Sequence, residues 1–184
     1  MATRSRSYLL LLVGTKDEKV VLHLQSQTLK QIFEHAQAEY PEECCGIILS
    51  GNVVLDQPTE ETQQEYVRPC RNVQNQRHAD DPGTYPRDAR TAYLMDPGDL
   101  LRIHKESERE NRPIKAFYHS HPDHDSYFSD KDKADATLWD EPVCPDSAYV
   151  VLSVYGGEIR DIKAFAWNEQ QSDFVPVEIL PVSD

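Results

Sequence analysis

The stretch Ala116–Ala136, AFYHSHPDHDSYFSDKDKADA, holds three of the chain's seven histidines. His119 and His121 stand one residue apart at the end of an apolar run, and Ser129 and Asp132 follow at fixed offsets. The segment IKAFYHS reads as a buried strand. Side chains two apart in a strand project to the same face, so the spacing predicts two imidazoles facing one way. A loop follows, then a helix beginning near Ser129, which puts Asp132 in the first helical turn. Two ring nitrogens and one carboxylate would hold one metal ion and leave a fourth tetrahedral position open. Catalytic zinc sites have this form, with a water in the open position. The ion lowers that water's pKa towards neutrality and makes it a nucleophile.

A site of this kind needs a general base. Glu42 and Glu43 precede the apolar segment CCGIILSG, and either carboxylate could serve from the mouth of a buried strand. Strand logic alone does not choose between them.

The pattern around these segments is that of an α/β or α+β domain, a curved mixed sheet with helices packed on it. Tyr8–Val13 and Lys19–Leu24 read as two strands. Ser26 is placed to cap a helix carrying Leu29, Ile32, Phe33 and Ala36, which Pro41 ends. The segments VVLDQ and EYVRPCRNV read as further strands. Gln74–Arg90 turns polar and is expected to be a long loop of the kind that often carries function. Asp96 followed by Pro97 starts a helix that fades near Asn111. AYVVLSVY, IRDIKAFAW and DFVPVEIL read as three closing strands.

Composition sets the outer bounds. The 184 residues suffice for one domain with a real core, here taken as 1–184, with residues 1–25 as N-terminal strands or an extension. The net charge is −13 and the pI is near 4.9. Such a surface repels phosphate backbones and anionic lipid, so the expectation is no nucleic-acid and no membrane partner, and instead a partner with a basic face. No stretch approaches the length of a membrane span, and YLLLLV is too short for a signal peptide. Cys44 and Cys45 are adjacent, which suits reduced core thiols better than a disulfide framework and makes a cytoplasmic protein the default.

At this point a resemblance enters. His119, Ser120, His121 and Pro122, then six residues, Ser129, two residues and Asp132 match the JAMM motif of MPN-type zinc metallopeptidases at every position. The family also places a Glu two residues before a Cys-Gly pair, and ECCG selects Glu43 over Glu42. YPEECCGIILSG, YLMDPGDLL and AFYHSHPDHDS further resemble the bacterial and archaeal branch, over roughly residues 27–180. The resemblance implies one zinc ion on His119, His121 and Asp132, with Glu43 as general base and acid. It implies that Ser129 hydrogen-bonds the water or the developing oxyanion. It also implies a fold like that of the cytidine deaminases, and a substrate at the C-terminus of a ubiquitin-like or sulfur-carrier protein. A deconjugating isopeptidase of a protein-tagging system is the alternative within enzymes; a non-catalytic MPN scaffold is the alternative outside them.

Several residues have plainer readings. Ser129 and Asp132 also form a helix capping box with Asp in place of Glu. His124 matches no motif position and reads as a solvated group or a substrate contact. Cys44 and Cys45 read as small core hydrophobes, Trp139 and Trp167 as packing residues, and Asp80-Asp81 as solvated. Zinc deaminases use a His-x-Glu pair and a Pro-Cys-x-x-Cys pair, and neither is present.

Overall fold

A computed structural model describes residues 20–51 and 64–183 of the chain. Its strands are β1 (Val21–Gln25), β2 (Cys45–Leu49), β3 (Tyr66–Cys70), β4 (Ile114–Pro122), β5 (Thr137–Leu138), β6 (Glu141–Pro142), β7 (Ala148–Tyr155), β8 (Glu158–Asn168) and β9 (Asp173–Val182). Its helices are α1 (Ser26–Glu39), α2 (Gln74–Asp80), α3 (Pro97–Glu110) and α4 (Asp130–Ala136). Seven strands form one mixed sheet in the order β1-β9-β8-β7-β4-β2-β3, and β5 and β6 form a small separate hairpin. β4 pairs parallel with β7 and antiparallel with β2.

The period of two decides what each face of this sheet holds. In β4, Ala116 and Tyr118 face α1, within a core that includes Leu24, Ile32, Ile48, Val150 and Leu152. Phe117, one residue on, joins the opposite face, where β2 packs on α3 through Ile47, Leu49 and Ile103. Tyr149, Val151 and Phe128 continue that second face under α4. Because helices cover both faces, β2 is buried at every position and β7 at all but its last residue. His119 and His121 share the parity of Phe117, so they emerge beneath α4.

The register of β2 against β4 depends on one glycine. Gly46 pairs with Tyr118, and a Cβ at Gly46 would overlap the Tyr118 ring. The ring crosses that space, and its hydroxyl meets His35 Nδ1 of α1 at 2.9 Å. The same register sets Cys45 opposite His119.

Several expectations hold in detail. Asp96 caps α3, accepting from the Gly98 and Asp99 amides at 2.8 and 3.1 Å, and Asn111 ends it in the left-handed conformation. Ile32 and Ala36 are buried on α1, and Leu29 and Phe33 pack against the same cluster. Cys44, Cys45 and Cys70 are buried free thiols.

Others are corrected. Gln25, not Ser26, is the N-cap of α1; the Ser26 hydroxyl donates instead to the Val182 carbonyl at the end of β9, 3.1 Å away. The polar segment 74–90 is not all loop, since its first seven residues form α2. Trp139 is not a packing residue. It sits at the turn of the β5–β6 hairpin with positive φ and is 90% exposed. Trp167 does pack, edge-on against Phe174. The expected strands Tyr8–Val13 and VVLDQ lie outside the described residues.

Candidate active site

β4 delivers His119 and His121 with their Nε2 atoms 3.1 Å apart. Asp132, in the first turn of α4, places Oδ1 3.5 Å from His119 Nε2 and Oδ2 3.8 Å from His121 Nε2. All three residues are buried, and one ligand atom from each lies within 4.8 Å of the others. His121 Nδ1 lies 2.9 Å from the Asp125 carbonyl. A carbonyl can only accept, so Nδ1 carries the proton and Nε2 presents its lone pair to the cluster. Burial, and then the neighbouring His119, pull the His121 pKa down to about 4, which keeps the ring neutral. Burial opposes ionisation of Asp132, but hydrogen bonds and charge from His119 and hydrogen bonds from Ser129 outweigh it and hold its carboxyl well below the usual range. Imidazole nitrogen and one carboxylate oxygen form a donor set that suits a borderline-soft divalent ion such as zinc.

Ser129 and Asp132 form the reciprocal cap anticipated from their spacing. The Ser129 hydroxyl donates to Asp132 Oδ2 at 2.6 Å, the Ser129 amide donates to the same oxygen at 2.8 Å, and the Asp132 amide donates back to the hydroxyl at 3.2 Å. Oδ2 is therefore occupied by the helix start, and Oδ1 is turned to His119. One carboxylate serves the helix and the cluster together.

Glu43 lies two residues before the start of β2. Its position is fixed by its own backbone and by that of Cys44. The Cys44 amide donates to the Ser120 hydroxyl at 2.9 Å, and the Ser120 amide donates to the Cys44 carbonyl at 3.1 Å. Ser120 lies between the two histidines, so it ties Glu43 to the strand that carries them. The Glu43 amide donates to the Ala89 carbonyl at 2.7 Å. Burial, then the charge of Asp132, push the Glu43 pKa up to about 9. Glu42 turns elsewhere, accepting from Asn75 Nδ2 at 2.7 Å.

A cavity of about 150 Å³ opens on this cluster, lined by Glu43, His121, Ser129 and Asp132 but not Glu42. His124 is exposed, as a solvated group would be, and also lines the cavity. Its other wall is the strap from Tyr85 to Leu94. Nothing in the sequence points to what holds this strap. Asn72 Nδ2 donates to the carbonyls of Glu43 and Ala92, and its Oδ1 accepts from the amides of Gln74 and Leu94. Gln74 Nε2 donates to the Arg87 carbonyl and Asn75 Oδ1 accepts from the Ala89 amide, at 2.7 and 2.8 Å. Tyr93 of the strap stacks on His119 with ring centres 4.6 Å apart, and Tyr127 leans on His121 at 5.0 Å. Polar residues in an aperiodic run carry no pattern that could reveal this; only the polarity of the segment marked it as unusual.

This fold and cluster belong to a defined class. Residues 25–173 match the family described as prokaryotic homologs of the JAB domain, and the chain belongs to that family, within the JAMM/MPN group. Among curated proteins it is similar to the CysO-cysteine peptidases of Mycobacterium tuberculosis and Mycobacterium bovis, with 25% identity over 145 residues, 79% of this chain and 82% of theirs. It is also 30% identical over 117 residues to the tail tip assembly protein K of Escherichia phage N15, covering 62% of this chain and 37% of that protein. The solution structure of a Desulfitobacterium hafniense protein shares the fold with a TM-score of 0.61 at 19% identity, over 90% of this chain and 94% of that one. One from Salinibacter ruber does so with a TM-score of 0.50 at 23% identity, over 87% and 90%. Among the described residues no helix is long and apolar enough to cross a membrane.

Proposed function

We propose that the chain is a zinc-dependent hydrolase of the amide or isopeptide bond at the C-terminus of a ubiquitin-like or sulfur-carrier protein. The observation that carries this reading is the convergence of His119 Nε2, His121 Nε2 and an Asp132 oxygen within 4.8 Å, on the same cavity as a buried carboxylate, Glu43. Held by those three residues, a zinc ion would supply Lewis acidity, lowering the pKa of a water and polarising the scissile carbonyl. Glu43 then takes the water's proton as oxygen bonds to the carbonyl carbon, and hands it to the amine nitrogen as the C–N bond breaks. Its buried setting raises its proton affinity and suits it to hold that proton between the two transfers. The Ser129 amide keeps Asp132 Oδ2 engaged when the Ser129 hydroxyl, which otherwise donates to that oxygen, turns its one proton to a developing oxyanion.

The substrate half of the reading draws on the relatives named CysO-cysteine peptidase. An extended tail, ending in two glycines, would pair with exposed backbone beside the strap, and the carrier's folded body would rest against the loops around it. All three ligands and the base carboxylate are present, which disfavours a purely scaffolding role.

Elemental analysis and kinetics test the proposal together. Purified protein is expected to carry about one zinc, lost in the His119→Ala/His121→Ala double variant. Glu43→Gln is expected to keep zinc and fold yet lose nearly all turnover, while Glu42→Gln changes it little. Full zinc retention in the double variant would falsify the ligand assignment; the reverse ranking of the two glutamates would move the base to Glu42.

A further inference from the structure

Arg87 is the cation on the cavity wall that the proposed chemistry leaves without a task. Lys131, the other basic side chain there besides His124, is paired with Asp135 at 2.5 Å. The ion pairs of the described residues engage Arg68, Arg71, Arg102, Arg109 and Arg112, and Arg87 is in none of them. Arg77, Arg90 and Arg160 are likewise outside those ion pairs, but of these four arginines Arg87 is the one that lines the cavity. Its backbone is nevertheless held in place, since Gln74 Nε2 grips its carbonyl and the neighbouring Ala89 is bonded to both Asn75 and the Glu43 amide. The guanidinium is thus exposed at the cavity mouth on a tethered piece of chain, with its five donors unclaimed by protein.

We infer that the cavity selects a leaving group that is a single amino acid with a free α-carboxylate, and that Arg87 binds that carboxylate. The inference rests on the hydrolase reading above and narrows it. Glu43 serves the departing amine, and in an amino acid the carboxylate lies two bonds from that nitrogen. The group bound beside Glu43 is therefore best met by a cation on the segment fastened to Glu43, and Arg87 occupies that segment. Glu43 and Arg87 line the same cavity. Guanidinium takes a carboxylate in a two-point fork that a lysine does not reproduce. The volume agrees: about 150 Å³ is half of the ~300 Å³ at which pockets for drug-sized ligands begin, room for a residue or two rather than a protein side chain with its domain. Hydrolysis adds one water, leaving the carrier's tail as a carboxylate and the amino acid as a free amine and carboxylate.

The test uses a tail peptide ending in Gly-Gly-Ala, made as the free acid and as the carboxamide. In the zinc-loaded chain the acid is expected to be cleaved with at least about tenfold higher kcat/KM than the amide. Arg87→Ala and Arg87→Gln are expected to bring that ratio near one, chiefly by slowing the acid, and Arg87→Lys to restore it in part. Calorimetric titration of both peptides into Glu43→Gln protein supplies a readout independent of turnover, with the acid binding tighter and Arg87→Ala removing the difference. A wild-type ratio near one, or a ratio that survives Arg87→Ala, overturns the inference while leaving the hydrolase reading intact. An Arg87-dependent preference in binding, with neither peptide cleaved by wild type, supports the carboxylate site and sinks the hydrolase reading instead. Equal losses on both peptides in Arg87→Ala would make Arg87 a tuner of Glu43 and not a specificity residue.

Discussion

Asn72 donates its side-chain amide to the Glu43 carbonyl at 2.9 Å while its oxygen accepts from two amides on either side of the strap. One amide side chain therefore joins the segment leading into β2, the start of α2 and the wall of the cavity. Asn72→Ala is expected to lose about 2 kcal/mol of stability, the net of several hydrogen bonds at roughly 0.5–1.5 kcal/mol each. It is also expected to lower kcat at least tenfold with zinc retained. Asn72→Asp keeps the two accepted bonds and loses the donated ones, so it should hold the strap better than it holds Glu43. Denaturant midpoints, zinc content and kcat measured side by side check this; a kcat unchanged in both variants would show that the clamp is irrelevant to the chemistry.

The shared carboxylate makes a second prediction. Ser129→Ala removes the hydroxyl from the cap and from Asp132 Oδ2. The lost cap is expected to cost about 1 kcal/mol, and the freed carboxylate to weaken zinc binding roughly 10–100-fold, as loss of a supporting hydrogen bond does elsewhere. Competition with a zinc chelator reads the second quantity. A variant with wild-type zinc affinity and lowered stability would mean that Ser129 only caps.

Stability against pH offers a third. In the metal-free protein Glu43 binds its proton up to about pH 9, against about 4.5 when unfolded. The folded state therefore holds more protons than the unfolded one across that window, and Glu43's contribution to stability falls as pH rises through it, by at most about 1.4 kcal/mol per unit. His121 acts oppositely. Its folded pKa near 4 lies below the ordinary 6.5, so its stabilisation grows with pH over that range and is complete above it. Asp132 is lowered below the ordinary 3.8 and changes nothing above pH 5. Between pH 6.5 and 8 the Glu43 effect stands alone of the three, so chelator-treated wild type should lose stability and Glu43→Gln should not. Parallel slopes for the two proteins would refute it.

The tail makes a fourth. Two glycines before the scissile bond let the backbone approach the cluster closely. Replacing either with a bulky residue is expected to lower kcat/KM at least about tenfold, ~1.4 kcal/mol of transition-state binding. Intact carrier conjugates compared with short tail peptides give the contribution of the folded body; equal rates on glycine-free peptides would indicate a general peptidase.

What could be read in the sequence divides along local and distant contacts. His119, His121 and Asp132 were legible because a strand's period and a helix's first turn fix them within one stretch of fourteen residues. Asp96, Pro97 and Asn111 bounded α3 for the same reason. Glu43 could not be chosen over Glu42 by strand logic alone, because its place depends on the bond from Cys44 to Ser120, 76 residues on, and on the pairing of Gly46 with Tyr118. The family pattern, not the residues' own periodicity, singled it out. Ser26 looked like a cap because nothing nearby revealed that Val182 would claim its hydroxyl. Trp139 looked like core because aromatics usually are, yet the left-handed backbone at Trp139 and Asp140 makes a hairpin tip of it. α2, at seven residues, is too short for a helical period to declare itself.

The strap has a consequence for how such an enzyme can change. β4 is flanked by strands on both sides and covered on both faces, so a substitution among its buried residues disturbs the whole domain. The strap is held at its backbone by Asn72, Gln74 and Asn75, with Ala89 and Ala92 buried and Tyr93 stacked on His119, while Pro86, Arg87, Asp88 and Arg90 are exposed. The Asp88 carboxylate accepts from the Arg90 amide at 3.1 Å and so helps shape the strap, whereas the side chains of Pro86, Arg87 and Arg90 form no hydrogen bond or ion pair among the described residues. Those three can be exchanged without refolding the sheet. On the proposed reading, reaction and preference sit on separately mutable pieces of chain, and a library confined to Pro86, Arg87 and Arg90 should yield new selectivities at undiminished thermal stability.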